Sequence, residues 1–172
     1  MARATTEARR LLERFKVEAP PVAVERLAAL LGITLTYEPV SNNISGMLYR
    51  VAGHATIGIN SHHAETRQRF TIAHELGHFV LHPGIPMILD EVVRVNFRDD
   101  RSALATDAQE IAANQFAAEL LMPAAWVNEH VTRRRRLTQN SLNQLPERLA
   151  RTFGVSSQAM QFRLTNLGLL LP

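Results

Sequence analysis

The sequence predicts an α+β fold: a small antiparallel sheet packed on two long helices, with a helical C-terminal appendage. Three observations predict it. Period-2 alternation is confined to residues 33–59, helical periodicity dominates elsewhere, and the two longest helical patterns carry ionisable residues among apolar neighbours. At 172 residues and 46% hydrophobic content, the chain can bury a substantial core. It divides by pattern into a unit at 1–130 with a helical lead-in and a helix-turn-helix-like region at 131–172.

The elements follow in order. Residues 7–16 and 22–31 read as short amphipathic helices; Pro20 and Pro21 open the second and Gly32 closes it. Three β-like runs follow at 33–37, 44–51 and 55–59, the last two joined around Ala52, Gly53 and His54. From 64 to 82 the periodicity becomes helical, and Pro83, Gly84 and Pro86 stop it. Residues 83–105 read as an irregular loop with one strand expected at 92–97, and a loop of that length is usually either functional or mobile. Thr106, Asp107, Ala108 and Gln109 have capping-box spacing, and the helix they open runs to Pro123. The arginines at 133–136 form a dense run that is either a solvated segment or a contact for phosphate or an acidic partner. Residues 141–172 read as helices about a turn at Gly154, Val155 and Ser156.

Composition narrows the chemistry. No apolar run approaches 18 residues, and MARATTEARR lacks the apolar centre of a signal peptide, so a cytoplasmic protein with no membrane partner is expected. The chain has no cysteine, which removes disulfides and thiolate ligands. Any zinc must then be held by His, Asp or Glu, a donor set typical of catalytic rather than structural sites.

That donor set is present. In His74-Glu75-Leu76-Gly77-His78 the two histidines are four positions apart and leave one face of a helix, where they can hold a single Zn²⁺. Glu75, on the edge of that face, can take a proton from a zinc-bound water and pass it to a departing amine. The flanks Phe70, Ile72, Ala73, Leu76, Phe79, Val80 and Leu81 are apolar, so ionisable groups buried among them need a reason. Gly77 is a poor helix former and implies a close approach on its side.

Such a site takes a third protein ligand, which the second long helix offers as Glu110 or Glu119. Nine positions separate them, so only one can face the metal. Glu110 is the better placed, because Asn114, one turn on, can accept the outer N–H of a ligand histidine. Glu119 is left exposed or salt-bridged. The small residues Ala112, Ala113, Ala117 and Ala118 allow the two helices to approach closely. Zn²⁺ is the expected cofactor, although two histidines and a carboxylate also suit Mn²⁺ or Fe²⁺.

HELGHFVLH followed by EIAANQFAAELLMP, with PPV and ERLAALLGI before them, resembles the ImmA/IrrE family of metallo-endopeptidases. The resemblance covers residues 10–125 and extends more loosely into the tail. It implies a zincin-like minimal metallopeptidase with a gluzincin-like site: His74, His78 and Glu110 on zinc and Glu75 as base. It also implies a protein substrate, a helix-turn-helix (XRE-type) repressor whose cleavage releases stress or mobile-element genes. Glu110 lies farther from His78 than the family spacing, a length that the 83–105 loop accounts for.

Other residues are open between roles. His82, one turn past His78, reads as a helix cap or a group behind the ligands and, with Tyr49, as a candidate oxyanion or substrate contact; Tyr37 or an arginine could also serve. His54, His62 and His63 read as loop histidines. The strand at 45–49 is expected to form the sheet edge on which an extended substrate lies. In the tail, Ala150, Gly154 and Met160 have helix-turn-helix spacing, and Ser156, Ser157, Gln158 and Gln161 occupy reading positions, while Arg163 falls where an apolar residue belongs. The competing function is therefore a metal-stabilised regulator that binds a repressor or DNA through its C-terminal region with little or no proteolysis.

Overall fold

The computed structural model describes residues 2–84, 87–91, 104–132 and 144–170. Helix α1 spans Ala2–Arg14 and α2 spans Val24–Leu30. The first starts earlier than its pattern at 7–16, because Ala4 and Ala8 continue the buried stripe of Leu11 and Leu12. Gly32, at φ 72°, ends α2 in the left-handed region and turns the chain into the sheet.

Strands β1 (Ile33–Glu38), β2 (Ile44–Val51), β3 (His54–Asn60) and β4 (Met87–Glu91) form one sheet in the order β1-β3-β2-β4. It is mixed, not antiparallel as the sequence led us to expect: β1 runs parallel to β3, whereas β2 is antiparallel to both β3 and β4. The connection from β1 to β2 causes this. It steps past β3, held by the buried Asn60, whose amide donates to Val40 O at 3.2 Å, Ser41 O at 3.1 Å and Ile44 O at 2.9 Å. The tight β2–β3 hairpin then slots β3 between the two; its corner residues Ala52 and Gly53 have φ of 49° and 81°, the pattern of a type I′ turn.

Helix α3 (Glu65–Leu81) follows β3 and lies across the sheet face formed by Leu48, Ile57 and Ile59, all buried. β4 lies within the stretch expected to be irregular, and the strand expected at 92–97 lies outside the described residues. Helix α4 (Leu104–Leu121) begins two residues before Thr106, so the capping-box pattern falls inside it. Leu104 and Ala105 are strong helix formers and extend the first turn backwards. Helix α5 (Ala124–Thr132) was not foreseen; Pro123 ends α4, yet its carbonyl accepts from Val127 N at 3.0 Å and opens the next helix.

Helices α6 (Leu145–Phe153) and α7 (Ser157–Asn166) meet at Gly154, which has φ 64°. Leu149, Phe153, Met160 and Leu164 join the hydrophobic core that contains Leu27, Ile72 and Leu120. Arg69 of α3 fastens the corner, donating to Gly154 O at 2.9 Å and Val22 O at 2.8 Å. The arginine run at 133–136 lies outside the described residues. No helix among the described residues is long and apolar enough to cross a membrane.

Candidate metal centre

Helix α3 buries every residue from 71 to 78, which an amphipathic surface helix would not do. The sheet covers one side and α4 another. At Gly77 the two helices touch: a Cβ there would lie 3.1 Å from Ala113 Cα and 3.2 Å from Ala113 O. The glycine and the small residues of α4 thus permit one close approach, and the ligands are gathered across it.

His74 Nε2 and His78 Nε2 are 2.9 Å apart; Glu110 Oε2 lies 3.1 Å from the first and Oε1 3.1 Å from the second. One donor atom from each residue falls within 4.8 Å of the others. His74 and His78 are fully buried, and Glu110 is about one-third exposed. Burial pushes the Glu110 carboxyl up, but hydrogen bonds and charge from His74 and His78 outweigh it and hold the group down at about 2.

Asn114 Oδ1 lies 3.1 Å from His74 Nδ1. An amide oxygen can only accept, so Nδ1 donates to it and Nε2 is the ring atom turned toward the Glu110 carboxylate. In the metal-free site the 3.1 Å approach is the hydrogen bond that lowers Glu110, and a cation can take the place of its proton between the same two atoms. These three residues therefore fit a divalent metal ion, and the arrangement can hold one.

Glu75 is fully buried and points along the sheet side of α3, where a Cβ at Gly46 would lie 3.3 Å from its Oε1 and 2.4 Å from Thr71 Cγ2. Only glycine admits β2 this close. His82 caps α3 with its own N–H, which donates to His78 O, and its ring sits 5.3 Å from that of His78. Burial lowers its pKa, as do the nearby His78 and Arg3, so it is neutral at pH 7. Tyr49 is not gathered here. Gly46 and Leu48 face α3, so the alternation of β2 puts Tyr49 on the opposite, exposed face with Met47.

Glu119 is buried and holds elements together instead: Arg9 donates to it at 2.7 Å, Ala124 N at 3.3 Å, and Arg163 also binds it. That explains the arginine at an apolar position of α7, which also donates to Met122 O at 2.9 Å. Sequence reasoning missed Arg50. From β2 its Nη2 donates to His78 O at 3.3 Å and Phe79 O at 3.4 Å, capping the ligand-bearing end of α3, and it feels the charge of Glu75. Only its single charge amid the apolar alternation of β2 hinted at this.

A family model described as the IrrE N-terminal-like domain, of a peptidase family, matches residues 28–165. The chain belongs to this family. The immunity region protein 2 of Bacillus phage phi105 is 32% identical over 69% of this chain and 66% of its own length. The radiation response metalloprotease IrrE of Deinococcus deserti is 34% identical over 59% of this chain and 34% of its own length. A Mycobacterium tuberculosis transcriptional regulator shares the fold, with a TM-score of 0.63 at 18% identity over 96% of this chain and 47% of that one. The chain thus spans between a third and two thirds of the length of these proteins.

Proposed function

We propose that this chain is a zinc-dependent endopeptidase that cleaves a regulatory protein, a helix-turn-helix repressor of the XRE type. The observation that carries the reading is the convergence of His74, His78 and Glu110 beside a buried Glu75, inside a peptidase family. The names of the relatives, a phage immunity region protein and a radiation response metalloprotease, support a regulatory substrate. His74, His78 and Glu110 would hold the ion. When bound, zinc lowers the pKa of water to about 7 and polarises a carbonyl oxygen.

The protein's own groups do the rest. Asn114 fixes the His74 tautomer, and Arg50 pins the last turn of α3, so His78 keeps its aim. Glu75 takes the proton of the attacking water and delivers it to the leaving amine, working as base and then as acid from a fully buried position. Its place against the Gly46 backbone sets it beside β2. The competing reading, recognition of DNA through the tail, is weakened because Arg163 of α7 turns inward to Glu119 and Met122 O.

The test is Glu75→Gln. It should keep the metal and the fold while cleavage of a co-expressed repressor falls about 10²–10⁴-fold, the usual worth of a general base. Full derepression by that variant would instead favour the binding reading.

A further inference from the structure

One edge of β2 pairs with β3, and the other, the edge an extended substrate needs in order to pass Glu75, is filled by the chain itself. β4 runs antiparallel along it, with Gly46 opposite Asp90, Met47 opposite Leu89, Leu48 opposite Ile88 and Tyr49 opposite Met87. Gly46 is also the residue whose backbone abuts Glu75. The pairing slips between Ile44 and Gly46, leaving Ser45 as the extra residue of a bulge, tied to Arg67 by a 3.0 Å hydrogen bond. Bulges of this kind commonly adjoin active sites.

A base must come within hydrogen-bond reach of the proton it removes. A peptide paired on the outer edge of β4 would lie a further strand spacing, about 4.8 Å, from Glu75. A peptide paired with β2 itself would not, but it requires the place that β4 holds. Main-chain ladder bonds are alike for any sequence, so an incoming strand can replace those of β4 nearly one for one, and side chains decide the balance. Five residues of β4 are a short ladder to displace.

We propose that β4 is a stand-in for substrate: the resting chain closes its own peptide-binding edge, and a substrate segment enters by displacing β4 and pairing antiparallel with residues 46–49. The proposal rests on the peptidase reading for its purpose. Its partner is an extended, unfolded stretch of polypeptide, not a folded surface. A repressor held in its compact form would therefore be refused until a segment of it opens.

The chain has no cysteine, so Met47→Cys with Leu89→Cys gives a single disulfide between β2 and β4. Opposed Cα atoms in an antiparallel pair, about 4.5–5.5 Å apart, suit such a bond. The probe is a fluorescein-labelled peptide of sequence MILDE, the β4 sequence, followed by anisotropy with the zinc-loaded Glu75→Gln protein. The reduced cysteine pair should bind it, the oxidised pair at least tenfold more weakly, and a variant with residues 87–91 replaced by glycine and serine at least tenfold more tightly. Amide exchange at 46–49 should slow in the glycine-serine variant when peptide is added. Equal affinity in the oxidised and reduced forms, or no binding by the glycine-serine variant, would overturn the proposal. Glu75→Gln cannot cleave, so this outcome is separate from that of the peptidase test.

Discussion

Asn114 decides which nitrogen of His74 faces the metal position, and it does so with one hydrogen bond. Replacing it with alanine should weaken zinc binding about 10–100-fold while leaving the fold in place, measured by competition with a chromophoric chelator. Unchanged affinity would reduce Asn114 to packing. Glu110 remains a carboxylate down to about 2, so zinc retention should show no step where ordinary carboxylates titrate, near 4.5. A retention midpoint in the carboxylate range would contradict this. In the metal-free protein, the depressed carboxyl contributes stability that is complete above its usual value of 4.5 and fades as pH falls toward 2. His82 is also depressed, so its neutral burial stabilises above pH 6.5 and costs stability as pH falls below that. His82→Gln should therefore lose less stability than the parent between pH 7 and pH 5, read from urea midpoints. The Glu110 and Asn114 pair was legible because one helical turn links them and both reach the histidines of α3. Arg50 was not, since its partners are main-chain carbonyls 28 and 29 positions away.

At the scale of elements, the sequence reveals strands more readily than their neighbours. β2 has the limits its alternation indicates, Ile44–Val51, and α3 differs from its pattern by a residue at each end. The parallel partnership of β1 with β3 could not be read, because alternation tells which face is buried and nothing about which strand lies alongside. β4 was hidden by Pro83, Gly84 and Pro86, which suggested loop, and α5 by a proline that ends one helix and starts another. The Glu119 knot shows what such elements depend on. It joins α1, the junction of α4 with α5, and α7 through Arg9, Ala124 N and Arg163. Glu119→Ala leaves the part-buried Arg163 without its carboxylate and should cost about 3 kcal/mol in urea unfolding. A loss under about 1 kcal/mol would mean that apolar packing alone seats α7.

For the whole molecule, metal and fold should be coupled, since the ligands come from two helices that meet only when the chain is folded. Saturating zinc at about 100 times its Kd should add about 2.7 kcal/mol of stability, and Glu110→Ala should remove most of that gain. A zinc-independent melting temperature would separate the site from the fold. The contact at Gly77 carries this coupling further. The bite between the α3 histidines and the α4 carboxylate is set by how near the two backbones come, and at Gly77 a single hydrogen atom holds that gap. A methyl group there would force the backbones apart by a few tenths of an ångström, leaving every donor in place but widening the space between them. Gly77→Ala should thus shift preference from zinc toward a larger ion such as Mn²⁺, which makes helix spacing, and not the identity of the ligands, the calliper by which this centre gauges its metal.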